Sequence, residues 1–153
     1  PVWVSSFVFL AYLAGTFSSP IAGRLAGKYG RKIVILISDA IAMAALLLLL
    51  VPSLAVSIGA LIVFTAAFFG AHSTASGWAG AHPKIGRAQS TALYNFSYYI
   101  GSSVFGFVGG LFYQSLGWPA LIGMIATIFV IATTVAVIVL PRKKLPPRAS
   151  KRA

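Results

Sequence analysis

The placement of positive charge in this 153-residue chain restricts what it can fold into. Five apolar stretches are separated by short loops, and every Lys and Arg falls on alternate loops or in the C-terminal tail. Each stretch approaches or exceeds the roughly 20 mostly apolar residues that a helix needs to cross a bilayer. The sequence therefore predicts an all-α membrane protein with five transmembrane helices.

Composition supports a lipid environment and excludes several functions. Hydrophobic residues make up 59% of the chain and charged residues 8%, against roughly 45–50% and 25% in soluble domains. The net charge of +11 would suggest nucleic acid in a soluble protein, but cations that flank apolar spans set orientation and attract anionic lipid instead. We expect the lipid bilayer as a partner and no nucleic acid. Without cysteine and with one acid, the chain offers no metal site and no enzyme centre.

The apolar pattern assigns a topology. The predicted helices cover residues 2–22, 33–51, 55–77, 88–113 and 119–140, and together they form one bundle over residues 1–141. The basic loops and the basic tail at residues 142–153, which we expect to be disordered, then lie on one side of the membrane. Because Lys and Arg favour the cytoplasmic side, the C-terminus is predicted to be cytoplasmic in a multi-pass plasma (inner) membrane protein.

Small residues predict how the helices pack. Membrane helices approach closely where Gly, Ala, Ser or Thr recurs every fourth residue, and the first, third and fourth predicted helices show this spacing. We expect these three to form the packed interior and the second and fifth to face lipid. The glycines assigned to packing are Gly15, Gly70, Gly101, Gly106, Gly109 and Gly110.

A short basic segment resembles a known family. Residues 23–32 read GRLAGKYGRK, which is similar to the loop motif G-x-L-A-D-R-x-G-R-K of the major facilitator superfamily. Gly27 stands where the family has Asp. The resemblance implies a signature or gating role for Gly23, Lys28, Gly30, Arg31 and Lys32.

The fourth predicted helix carries a second likeness. Gly101, Gly109 and Gly110 have the spacing of the antiporter motif G-x-x-x-G-P-x-x-G-G, with Phe105 and Gly106 in place of its Gly-Pro pair. Since the third helix also lacks the Arg usual in the family's fourth helix, the departures favour helices eight to twelve of the fold. Helices two to six remain an alternative, because the two halves of the fold are pseudo-symmetric repeats.

The resemblance implies transport by alternating access between two six-helix bundles. We expect part of a proton-coupled exporter, in the drug or sugar efflux branch, that carries a small-molecule substrate with no cofactor and the proton gradient as energy source. The chain starts at Pro1 without an initiator Met, so we expect the N-terminal half of the transporter as a missing partner. The alternative is a non-transporting membrane scaffold or a small oligomeric membrane subunit.

Two ionisable residues inside predicted helices are candidates for chemistry. Asp39 is the only acid, and a charge within a membrane is a functional candidate by default. We expect it to pair with Lys32 or Arg31 in a structural or gating salt bridge, with proton carriage or neither role as alternatives. His72 is a proton-site candidate, and an interhelical hydrogen bond is its alternative.

A polar and aromatic set predicts the substrate cavity. Its members lie at helical spacing in otherwise apolar stretches, and few charges with many aromatic groups suit an uncharged or lipophilic ligand. The alternative is that these side chains only join helix to helix. The cavity candidates are Tyr12, Thr16, Asn95, Tyr98, Tyr99 and Ser102.

Overall fold

The chain forms five α-helices joined by short connections. The computed structural model describes the backbone of residues 2–141 and the side chains of residues 12–141. The helices are α1 (Val2–Tyr29), α2 (Arg31–Leu48), α3 (Leu54–Ala81), α4 (Arg87–Leu116) and α5 (Trp118–Val139). No strand occurs in this part of the chain, which confirms the predicted all-α class. The basic tail predicted at residues 142–153 lies outside the described residues.

The segment that resembles the family's loop motif is mostly helical, which corrects the predicted loop at residues 23–32. Helix α1 continues through Pro20 to Tyr29. A proline inside a helix removes one backbone hydrogen bond, but it can bend the helix without ending it. Only Gly30 separates α1 from α2, and its φ of 100° lies in a region that glycine adopts without steric cost. The motif is therefore a sharp break between two helices.

Two further connections also depend on glycine. Gly86, with φ 77°, precedes α4, and Gly117, with φ 80°, separates α4 from α5. The connection from α2 to α3 instead passes through Pro52 and Ser53. Side chains with a Cβ avoid positive φ, so the three glycines fix where these helices begin or end.

Cross-helix hydrogen bonds define the two ends of the bundle. Lys32 at the start of α2 donates to the Leu140 carbonyl oxygen next to the end of α5, at 2.9 Å. Trp118 at the start of α5 donates through Nε1 to the Leu49 carbonyl oxygen after α2, also at 2.9 Å. Helices α2 and α5 are thus antiparallel. We call the end that holds Lys32 the basic end, since it carries the motif segment, and the opposite end the far end.

The packing of α2 corrects the prediction that the second helix faces lipid. Helix α3 is central and contacts α1, α2 and α4, while α2 also contacts α5. One side of α2 is buried because alanines let it approach its neighbours closely; its buried residues are Val34, Ile35, Asp39, Ala42, Ala45 and Leu46. Helix α4, predicted to be interior, buries Gly109 alone and contacts only α3 and α5 among the described helices.

Two of the helices stand out as membrane spans by length and composition. Helices α3 and α5 are long enough to cross a membrane and have a high mean hydropathy. Among the described helices the other three are more polar: α2 contains Arg31, Lys32 and Asp39, and α4 contains several hydroxyl and amide side chains. Some of these polar groups face other helices or lie near the helix ends, whereas Asn95 of α4 is exposed.

Candidate functional site

Two cavities meet near the midpoints of α3, α4 and α5. One cavity of about 700 Å³ lies toward the far end, and we call it the far-end cleft. The other, of about 630 Å³, lies toward the basic end between α2, α3, α4 and α5, and we call it the basic-end cleft. Four residues line both clefts: Phe68, Tyr98, Ile128 and Phe129. We call these four residues the waist.

An aromatic face of α3 contributes Phe68 to the waist. Phe64, Phe68 and His72 follow one another at intervals of four residues, so their rings lie on one face of the helix. Phe64 stacks on Phe68 with centroids 6.5 Å apart, and Phe68 stacks on His72 at 5.9 Å. Phe129 of α5 approaches Phe64 at 5.6 Å. The result is an aromatic surface halfway along the bundle.

His72 joins α3 to α4. The Tyr94 hydroxyl lies 3.1 Å from His72 Nδ1 and donates to the His72 carbonyl oxygen at 3.3 Å. The Tyr98 ring is 4.4 Å from the imidazole, centroid to centroid. His72 therefore has the interhelical hydrogen bond that the sequence offered as one alternative, and it also lines the basic-end cleft. Its role as a proton site stays a prediction.

The structure gives Asp39 and Lys32 partners other than each other, which corrects the expected salt bridge. Thr133 of α5 donates through Oγ1 to Asp39 Oδ2 at 3.1 Å. Lys32 instead donates to the carbonyl oxygens of Val137 and Leu140. Both side chains thus tie α2 to α5. Lys32 does so because the carbonyl groups near the end of a helix accept hydrogen bonds from cations well. Asp39 is only 8% exposed and lines the basic-end cleft.

The predicted cavity residues divide into two groups. Tyr98 and Ser102 line the basic-end cleft, and Tyr12 lines the far-end cleft. The other three lie apart from both clefts on exposed helix surfaces: Thr16, Asn95 and Tyr99. The structure therefore brings half of the predicted set to the two cavities.

The motif segment contributes to a separate pocket at the basic end. This cavity of about 530 Å³ lies between the end of α1, the start of α2, α3 and the end of α5, and we call it the Arg31 pocket. Gly23, Gly30, Arg31 and Lys32 line it. Lys28, the remaining motif residue, lies over the Tyr29 ring at 5.1 Å from the centroid.

The glycines assigned to packing differ in their surroundings. A Cβ on Gly15 would lie 2.4 Å from Phe69 Cδ2, and one on Gly70 would lie 3.2 Å from Ser38 Oγ. A Cβ on Gly109 would lie 3.1 Å from Leu121 Cδ1. A Cβ on any of the remaining three would have no described atom of another element within 4 Å; these are Gly101, Gly106 and Gly110. Small-residue spacing alone did not separate these two groups.

Sequence reasoning missed four residues that shape the site: Phe68, Phe129, Tyr94 and Thr133. The spacing of Phe64, Phe68 and His72 was a usable signal for the aromatic face. Nothing in the sequence indicated that Thr133 lies beside Asp39, because 94 residues separate them along the chain.

Comparison with known proteins identifies relatives along nearly the whole chain. A profile described as Major Facilitator Superfamily matches residues 3–153. The uncharacterized MFS-type transporter YybF of Bacillus subtilis (strain 168) is 36% identical over 148 residues, which cover 97% of this chain and 37% of that protein. The inner membrane transport protein YnfM of Escherichia coli (strain K12) is 43% identical over 132 residues, which cover 86% of this chain and 32% of that protein.

A third relative extends the same pattern. An uncharacterized transporter of Buchnera aphidicola subsp. Schizaphis graminum (strain Sg) is 38% identical over 136 residues, covering 86% of this chain and 33% of that protein. The chain thus spans about a third of the length of the curated relatives that it matches. No solved structure matches the chain.

Proposed function

Because the chain belongs to the Major Facilitator Superfamily, a family of membrane proteins, we propose that it forms part of a secondary transporter for small molecules. Its relatives are about three times longer, so the transporting unit contains further helices beside these five. In this proposal the chain supplies helices eight to twelve, and the rest of the transporter supplies the opposing bundle. Alternating access needs both, since the site lies between two repeats that rock against each other.

The meeting of the two clefts at the waist is the observation that carries the proposal. A transported solute needs a binding site near the middle of the bilayer that each side of the membrane can reach in turn. Phe68, Tyr98 and Phe129 lie at the middle of α3, α4 and α5, with one cleft leading toward each end. A small movement of these rings changes which cleft reaches the midplane.

The waist favours an uncharged or lipophilic substrate. Its four side chains are apolar or aromatic, and Tyr98 supplies one hydroxyl group. Sites of this kind bind mainly through apolar contact, while a few polar groups set orientation. Tyr98 together with Ser102 is the orienting pair, since both line the basic-end cleft.

Proton coupling is the energy source in this proposal, and His72 is its carrier within the chain. Its imidazole lies within 4.4 Å of Tyr98, centroid to centroid, so a proton on His72 alters the field at the substrate. The spacing of Gly101, Gly109 and Gly110 in α4 supports export, as in proton-driven antiporters. With the basic end cytoplasmic, as the bias of Lys and Arg favours, the basic-end cleft takes substrate from the cell interior.

The test uses the full-length protein that contains this chain, reconstituted in proteoliposomes with an imposed pH gradient. A panel of lipophilic solutes identifies one that accumulates only when the gradient is present. Tyr98→Ala should change the order of preference among the solutes, whereas Tyr99→Ala, on an exposed surface of α4 apart from both clefts, should not. His72→Gln should uncouple solute movement from the gradient. His82→Gln, just after the end of α3, serves as its control.

The outcome distinguishes transport from the alternative of a scaffold or small subunit. If no solute responds to the gradient while the protein is folded and inserted, the transporter proposal fails. If the gradient drives transport equally well in His72→Gln, the transporter stands and the proton site lies elsewhere.

A further inference from the structure

The Arg31 pocket and the basic-end cleft are neighbours. Trp78 of α3 and Leu140, after α5, line both of them. One cavity is therefore basic and lies at the end of the bundle, and the other is apolar and extends from there toward the midplane. The basic-end cleft is also the proposed route of the substrate from the cell interior, whereas the Arg31 pocket has no part in the transport step described above.

The basic-end cleft has apolar walls and lies where two helices are apart. Helices α4 and α5 approach closely near the far end, where Leu121 and Met124 border Gly109. The cleft occupies the other half of the same pair. Small and branched apolar residues of α5 form its wall: Ala132, Val135, Ala136 and Val139. A volume of about 630 Å³ is that of a typical cavity for an apolar ligand.

The Arg31 pocket is suited to an anion. Arg31 and Lys32 line it together with Ser73, and its described lining contains no acid. Arg31 has no hydrogen-bond or ion-pair partner among the described residues, so its planar guanidinium group is available for the two-point contact that suits phosphate. The first turn of α2 also has no side chain capping it, which adds favourable N–H groups for an anion.

Charge separates the two cavities. Asp39 in the wall of the basic-end cleft would repel an anion there, but it lies eight residues, or about 12 Å, along α2 from Arg31. Its carboxylate already accepts the Thr133 hydrogen bond. An anionic group thus belongs in the Arg31 pocket and an apolar group in the cleft.

We propose that these two cavities form one site for an anionic phospholipid of the cytoplasmic leaflet. The phosphate binds beside Arg31 and Lys32, and one acyl chain passes between Trp78 and Leu140 into the basic-end cleft. The inner leaflet supplies such lipids at the depth where the basic residues lie. The inference needs the bilayer and its orientation, and it stands whether or not a solute is transported.

The test measures lipid binding to the full-length protein in detergent. After delipidation, the protein is titrated with dioleoyl-phosphatidylglycerol or with dioleoyl-phosphatidylcholine, and bound lipid is counted by native mass spectrometry. We expect one phosphatidylglycerol to bind more tightly than phosphatidylcholine. Arg31→Gln should lower the affinity for phosphatidylglycerol about fivefold. This factor is equivalent to about 1 kcal/mol, the contribution of one basic residue near an anionic surface. Arg31→Lys should restore only part of the affinity, because an ammonium group keeps the charge but not the two-point contact.

Two controls separate this site from general attraction by charge. Arg24→Gln removes the same charge from an exposed position of α1 that does not line the pocket, and it should leave binding unchanged. Ala132→Phe places a ring in the basic-end cleft and should weaken the binding of both lipids. Ala136→Leu is a milder substitution to use if the first variant does not fold.

Three results would overturn the proposal. The first is equal affinity for the two lipids in the unaltered protein. The second is an equal loss in Arg24→Gln and Arg31→Gln, which would mean that net charge alone attracts the lipid. The third is displacement of phosphatidylglycerol by soluble glycerol phosphate at equal concentration, which would mean that the cleft adds nothing and the pocket binds free phosphate.

Discussion

Substitution of Gly15 by alanine should destabilise the contact between α1 and α3. The added Cβ would lie 2.4 Å from Phe69 Cδ2 and 2.8 Å from Cγ, whereas carbon atoms rest at about 3.5–4.0 Å. The ring must therefore retreat by about 1 Å. Its neighbours restrict that movement, because Phe69 contacts the rings of Tyr12, Phe68 and His72.

The magnitude follows from two opposing effects. Overpacking of this kind costs about 1–3 kcal/mol, while alanine gains about 1 kcal/mol over glycine in helix propensity. Gly23 lies on the same helix, and a Cβ added there would have no described atom of another element within 4 Å, so Gly23→Ala carries the propensity effect without the clash. The difference between the two variants isolates the clash, and it should be about 1–3 kcal/mol.

The assay is equilibrium unfolding of the full-length protein in mixed micelles, followed by circular dichroism. Gly15→Ala should unfold at lower denaturant than Gly23→Ala, with the same slope. If the two variants are equally stable, then α1 and α3 are not as close at Gly15 as the structure has them, and the arrangement of the aromatic rings on α3 loses its support.

Two further predictions use the same unfolding assay. Gly30→Ala should destabilise the protein by about 1–3 kcal/mol relative to Gly23→Ala, because φ 100° and ψ 144° are strained for a residue with a Cβ. Equal stability of the two variants would mean that the break between α1 and α2 adopts another conformation. Thr133→Val should cost about 1–2 kcal/mol by removing the hydrogen bond to buried Asp39. Thr134→Val, which loses only a bond within its own helix, should be near neutral, and equal losses in the two variants would contradict the role given to Thr133.

The helices could be predicted from the sequence because each is an apolar run between polar or glycine-containing connections. Their ends were harder, since an end depends on one backbone conformation. Pro20 looked like a stop, but α1 continues beyond it to Tyr29, where the positive φ of Gly30 ends it. A glycine in the sequence shows where a helix can end with a positive φ. Whether the helix does end there depends on the folded structure.

Packing could be predicted only in part, because small residues permit a close approach without requiring one. Gly15 and Gly109 have close neighbours, whereas Gly106 and Gly110 have none from another described element. The buried face of α2 was missed although Ser38 and Ala42 are small residues four apart and Ala42 has no exposed surface. Leu, Ile and Val around the rest of the helix favoured a position facing lipid. Which side chain approaches each position is a property of the neighbouring helix.

The hydrogen bonds between helices explain why the clefts lie where they do. Helices α2 and α5 are joined near both ends, through Lys32 and Trp118, and again at Asp39. Helices α3 and α4 are joined through Tyr94 and through Ser90, whose hydroxyl donates to the Ala79 carbonyl oxygen at 2.8 Å. Both bonds between α3 and α4 lie in the half toward the basic end. The basic-end cleft therefore lies between two separately bonded helix pairs, which are held together by the packing of α2 on α3 and of α4 on α5.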